Sequence, residues 1–149
     1  MSFYLISTLA FVFILGAAVV IHEFGHFIVA KLLGIRVETF SVGFGKRLFG
    51  RQWGTTDYRL SLIPLGGYVK LGGDESNAGI EGESAADIPV GERFDLRPRW
   101  QKFLVAVAGP VMNILTAIAV PLVAAMTAGV PIAPSPVVKS VRQGGAAEV

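Results

Sequence analysis

Cysteine is absent from the 149 residues, which excludes a disulfide framework and any thiolate metal site. Charge is scarce: 16% of residues carry one and 52% are hydrophobic, whereas soluble domains average about 25% charged. The formal net charge of +2 is too small to imply a nucleic-acid partner, and none is expected. No lysine or arginine precedes the first apolar run, and that run is too long for the core of a secretory leader, so it reads as a retained helix. No internal repeat is visible. Histidine occurs only twice, and both copies fall inside that same run.

What is abundant is uninterrupted apolar sequence. One stretch runs from about Phe3 to Leu33 with Glu23 as its first charge, and a second from Phe103 to Val130 with none. Each exceeds the roughly 20 residues that a bilayer-crossing helix needs. The fold class that follows is a membrane protein, mainly α, with two transmembrane helices at about 3–33 and 103–130 in contact with the lipid bilayer. The loop between them, 34–102, holds most of the lysines and arginines. Lys31, Arg36, Lys46, Arg47 and Arg51 follow the first helix, and Arg93, Arg97, Arg99 and Lys102 precede the second. By the positive-inside rule the loop should be cytoplasmic and both termini extracytoplasmic.

The loop carries its own patterning. Phe40, Val42 and Phe44 alternate with smaller residues in TFSVGFG, and Tyr58, Leu60 and Leu62 alternate with polar ones in DYRLSLI. Period-two alternation bounded by glycine-rich turns predicts short, hairpin-like strands. IPLGGYVKL adds a Pro and Gly-Gly turn followed by another short extended segment. Gly72 to Gly91 holds five acidic residues and no lysine or arginine, and reads as a linker. RFDLRPRWQKF starts as a basic surface helix leading into the second span, with Trp100 at the interface.

The costly residues in the first span form one pattern. His22, Glu23 and His26 make H-E-x-x-H. Residues four apart share a helical face one turn apart, so both imidazoles can reach one ion. Zinc accepts neutral imidazole nitrogens, and its charge offsets the burial of a carboxylate beside it. Glu23 is then placed as a general base. Ionisable groups inside a membrane span are functional by default. At 1.5 Å per residue, His22 lies about 27 Å along the helix from Tyr4, toward the cytoplasmic side.

A catalytic zinc takes three protein ligands and keeps one open position. The second span offers no His, Asp or Glu, and although Asp57 or Asp74 in the loop could serve, no spacing favours either. The simpler expectation puts the third ligand beyond Val149, with the chain as the N-terminal part of a longer enzyme. PSPVVKSVRQGGAAEV has short β-prone stretches and is too brief for a core of its own, as the first strand of an extracytoplasmic domain would be. Asn113, an amide inside the second span, either bonds to another helix or orients substrate backbone or a zinc ligand. Gly109, Pro110 and Pro121 suggest close packing and a kink.

These segments together resemble the site-2 protease family of intramembrane zinc metalloproteases, of the bacterial regulator of sigma-E protease type. The resemblance rests on HEFGHFIVAKLLGIRVETFSVGFG, LIPLGGYVKLGG, RPRWQKFLVAVAGPVMN and VVKSVRQGGAAEV. It implies residues 1–130 as the N-terminal part of the protease core and 131–149 as a linker with the start of a PDZ-like domain. It further implies a multi-pass protein of the bacterial inner membrane that cuts single-pass membrane proteins, such as anti-sigma factors. Zn2+ would be held by His22, His26 and an aspartate of a later helix, with Glu23 as the catalytic base. Gly43, Phe44 and Gly45 match a membrane-associated loop whose extended edge could bind substrate backbone, and Asn113 joins them as a substrate-binding candidate. Turn chemistry explains Gly43 and Gly45 equally well. Two other functions fit the motif: a non-proteolytic metal-binding membrane protein, and a peptidase acting on soluble or lipidated peptides at the membrane surface.

Overall fold

A computed structural model describes residues 2–74 and 87–129 of the chain. The order is a long helix α1 (Ser2–Leu32), strands β1 (Val37–Trp53) and β2 (Thr56–Leu71), a 3-10 turn (Val90–Glu92), and a second long helix α2 (Arg99–Ala128). Two compact units divide at residue 117. The core, the hairpin and the site described below belong to the first, residues 1–117. The second, as far as it is described, is the end of α2, where Thr127 Oγ1 donates back to the Val123 carbonyl at 2.9 Å.

Both helices are long and apolar enough to cross a membrane. Core helices of soluble proteins can pass the same test, but they are covered by their own fold. Here only 6% and 17% of the most apolar stretches of α1 and α2 are buried by the rest of the chain. A helix apolar all round and uncovered by protein fits hydrocarbon. The expected spans are therefore matched by helices, and α2 begins at Arg99, so the basic RWQK segment belongs to the same helix and not to a separate surface one.

The end of α1 is set by Gly34. Its φ of 69° lies in the left-handed region that glycine adopts without strain. Ile35 N–H donates to the Ala30 carbonyl at 2.9 Å and Gly34 N–H to the Lys31 carbonyl at 3.1 Å. That pair of bonds is a Schellman cap, and its apolar closing contact is supplied by Ala30 and Ile35, both buried. The cap turns the chain into β1 and seeds a small core of Ala30, Ile35, Val37, Val69, Leu71 and Val105. This core joins the end of α1, the start of β1, the end of β2 and the first turns of α2.

The strands are longer than the short ones expected: 17 and 16 residues, paired antiparallel as one hairpin from Val37↔Leu71 to Trp53↔Thr56. IPLGGYVKL lies within β2, and the expected turn is there: β2 reverses direction between Leu60 and Gly67, which flank Val42 on its two sides. A second set of partners runs from Thr39↔Asp57 to Val42↔Leu60, with both numbers rising together. The hairpin thus folds over, and the start of β2 also lies beside the start of β1. Gly43 permits this, with φ 92° and a missing Cβ that would sit 2.8 Å from the Ile63 carbonyl oxygen. Fold-over reverses the expected inside and outside of β1. Thr39, Ser41 and Gly43 are buried, while Phe40, Val42 and Phe44 are half-buried. The buried hydroxyls are satisfied: Ser41 Oγ meets Ser61 Oγ at 2.9 Å, and Thr56 Oγ1 donates to the Val37 carbonyl at 2.7 Å.

The stretch read as a linker is anchored at both ends. Gly72 N–H donates to the Arg36 carbonyl at 2.8 Å, Arg36 N–H to the Glu92 carbonyl at 2.9 Å, and Phe94 N–H to the Gly72 carbonyl at 2.7 Å. Ile88 is buried. Residues 75–86 and the expected PDZ-like start at 131–149 lie outside the described residues.

Candidate metal centre

Helix α1 presents His22, Glu23 and His26 half-buried, where it meets β2 and α2. The two rings sit edge to face with centroids 4.8 Å apart. One donor atom from each of the three residues lies within 4.8 Å of the others, and among the described residues no other group of three metal-ligating side chains comes together.

The direction of the rings is set by α2. His26 Nδ1–H donates to the Val105 carbonyl at 2.6 Å, and His22 Nδ1 lies 3.3 Å from the Asn113 side-chain amide. Both Nε2 atoms therefore turn the other way, onto Gly109. A Cβ at Gly109 would stand 2.5 Å from His26 Nε2 and 2.6 Å from His22 Nε2. The space where the two donors converge exists because residue 109 has no side chain. Residues 105, 109 and 113 are four apart, one face of α2 opposite one face of α1. The close approach continues at Gly25, whose absent Cβ would press on the Ala108 carbonyl and lie 3.0 Å from Met112 Cβ.

This arrangement fits a metal ion. Both imidazoles present Nε2 to the same hollow, and His26 is held by Nδ1–H on a carbonyl, as metal-ligating histidines commonly are. Neutral imidazole suits zinc, among other divalent ions. Glu23 lies beside His22 in sequence, and the Val69 backbone of β2 hydrogen-bonds its carboxylate. A cavity of about 390 Å³ opens next to Glu23 and His26, lined also by Phe44, Val69, Asp74 and Ala106. Pro110 has no N–H to offer the carbonyl four residues back, so the Ala106 carbonyl lacks its helical partner at this wall.

Phe44 reaches the cavity, stacked on Tyr68 with centroids 6.1 Å apart. Gly43 and Gly45 are not among its lining residues; Gly43 is explained by the fold-over. Asp57 is engaged elsewhere, 2.7 Å from Arg59 and 3.0 Å from Arg47. Asp74 lines the cavity without joining the three-residue group. Sequence reasoning took Gly109 for close packing alone and missed its place against the histidines. It missed the Val105 carbonyl entirely, because a main-chain oxygen leaves no mark in a sequence.

The sequence profile of Peptidase family M50 matches residues 10–147. Three relatives bear the name "Putative zinc metalloprotease". The chain is 47% identical over 108 residues to one from Chlamydia pneumoniae, covering 70% of this chain and 17% of that protein. It is 44% identical over 121 residues to one from Ralstonia nicotianae, covering 77% and 26%. The third, from Campylobacter jejuni, is 40% identical over 117 residues, covering 78% and 30%. The chain spans under a third of the length of these relatives.

Proposed function

Because the chain belongs to Peptidase family M50, we propose that it supplies two metal ligands and the general base of a zinc-dependent endopeptidase acting on membrane proteins within or beside the bilayer. The observation that carries this reading is the convergence of His22 and His26 Nε2 on the hollow at Gly109, with Glu23 at the mouth of the adjoining cavity. His22 and His26 hold Zn2+, and the third protein ligand comes from outside the described residues. When bound, zinc supplies Lewis acidity, polarising a scissile carbonyl and making a water acidic enough to attack at neutral pH. Glu23 takes the proton from that water and delivers it to the departing amine nitrogen. Val69 N–H keeps the carboxylate aimed at the cavity.

A helical substrate must unwind before its carbonyls are free to react. The cavity beside Phe44 receives an extended segment, and the Gly43–Gly45 stretch of β1 offers main-chain groups nearby. Single-pass membrane proteins are the substrate class we favour, as in regulated intramembrane proteolysis. The charge bias supports an inner-membrane protein with loop 34–102 in the cytoplasm and both termini outside. Leu48, Phe49 and Trp53, all exposed beside Lys46, Arg47 and Arg51, suit contact of the hairpin with a bilayer surface.

The decisive experiment uses the intact protein in proteoliposomes with a single-pass reporter. Glu23→Gln should abolish cleavage while zinc content stays at the wild-type level. Cleavage that survives this change removes Glu23 as the base, and wild-type protein that cuts only soluble peptides overturns the substrate class. A single cysteine at Trp53, the 149 residues having none of their own, serves for the topology test once any cysteine elsewhere in the intact protein is replaced. Labelling there should come only from the cytoplasmic side.

A further inference from the structure

We infer that Asn113 is a positioning residue for the metal ligand His22, setting which ring nitrogen carries the proton, and that it does not itself bind substrate. This inference rests on the metal-centre reading above. The two histidines are held by chemically different partners. His26 Nδ1 faces a main-chain carbonyl, which can only accept, so its proton stays on Nδ1 and Nε2 keeps a lone pair for an ion. His22 Nδ1 faces the nitrogen end of the Asn113 amide, Nδ2 at 3.3 Å, and an amide that turns over presents its oxygen instead. With the amide nitrogen toward the ring, Asn113 donates to Nδ1 and the proton of neutral His22 sits on Nε2. With Oδ1 toward the ring, Asn113 accepts from Nδ1–H, and Nε2 is left free to bind.

A half-turn of one amide therefore switches His22 between a form that cannot ligate and one that can, with no change in net charge. Protons and charge balance: one proton leaves Nε2, one arrives on Nδ1, and solvent carries the exchange. Gly109 makes both forms possible by leaving room at the Nε2 side, and Asn113 sits one turn further along the same face of α2. The pairing also fixes the partners in reverse order, His26 with Val105 and His22 with Asn113, as two antiparallel helices require.

The test uses the intact protein in detergent and reads zinc affinity by competition with a chelator. Asn113→Leu, which fills the space without an acceptor, should weaken zinc binding 10- to 100-fold, the usual effect of losing a ligand's hydrogen-bond partner. Asn113→Asp, which keeps an acceptor, should bind within a few-fold of wild type. In zinc-loaded wild type, nitrogen NMR of the histidine side chains should place the His22 proton on Nδ1. That last measurement needs no variant and stands if Asn113→Leu fails to fold. The inference is overturned if Asn113→Leu holds zinc like wild type and loses only substrate affinity, if Asn113→Asp is as weak as Asn113→Leu, or if loaded His22 carries its proton on Nε2. Wild type that binds no zinc, or binds it unchanged after His22→Ala, overturns instead the metal-centre reading beneath it.

Discussion

The two halves of β1 share a backbone and a partner strand, yet they live in different worlds. From Val37 to Phe44 burial alternates residue by residue, and from Gly45 to Trp53 every residue is exposed. Helix α1 repeats the contrast. Its first half, with Phe3, Leu9 and Phe13, touches little, while its second half holds the cap, the core and the histidines. Apolarity is nearly constant along α1, so it cannot be what selects the packed half there. Where α1 meets α2, small residues let the backbones approach: Gly25 and Gly109 are places where another backbone or ring comes within the reach of an absent Cβ.

The contrast can be broken most severely at the packed side. Gly109→Ala should favour α2 locally by up to about 1 kcal/mol, since alanine is the better helix former. Zinc binding should nevertheless fall below detection, because the new methyl occupies the hollow at 2.5–2.6 Å from both ligand nitrogens. Circular dichroism and metal analysis on one sample read the two effects in opposite directions. If zinc is retained, the ligands do not converge at Gly109.

Next in size is the core that joins the packed halves. Ile35 is 2% exposed and closes the helix cap. Ile35→Ala should lower stability by about 3 kcal/mol, within the range for cavity-forming truncations, measured by denaturant unfolding in detergent. On the outer half, Phe49 is 73% exposed, and Phe49→Ser should change stability by less than about 0.5 kcal/mol. It should, however, weaken adsorption of the isolated protein's hairpin region to anionic vesicles, as seen by loss of Trp53 fluorescence shift. A large stability loss at Phe49 together with a small one at Ile35 would dissolve the division between halves.

The smallest effect concerns acid. A side-chain hydrogen bond from Arg93 holds the Asp95 carboxyl below its ordinary value of 3.8. A depressed carboxyl contributes stability above its unfolded value and loses it as pH falls through the folded one. The window therefore lies below about pH 4. Because the pair is exposed, Asp95→Asn should lower the thermal midpoint only slightly at neutral pH, and that small difference from wild type should disappear as pH falls below about 4.

How much of this was legible beforehand follows from where the information sits. H-E-x-x-H declares itself because three rare polar residues interrupt an apolar run at helical spacing. The two helices declare themselves by length. The strands were judged too short because each run of alternation reads as a separate strand, whereas the pairing continues through the fold-over and makes each one half of a longer element. Ser41 and Thr56 gave no hint of burial, since their concealment depends on Ser61 and Val37, brought close only by the fold-over. Asn113 was visible as an oddity, but nothing in the sequence placed His22 at its amide.

The bonds tying Arg36, Gly72, Glu92 and Phe94 have a use for protein engineering. They bring the chain's departure at Gly72 and its return at Glu92 to the two sides of a single residue, Arg36. Lengthening the polypeptide that joins those points adds closure entropy that grows by only about 0.6 kcal/mol for each doubling. An affinity tag, a fluorescent reporter or a protease site grafted between 75 and 86 should therefore ride on the molecule as cargo. The same position is the natural place to sever the chain into two co-expressed pieces that reassemble.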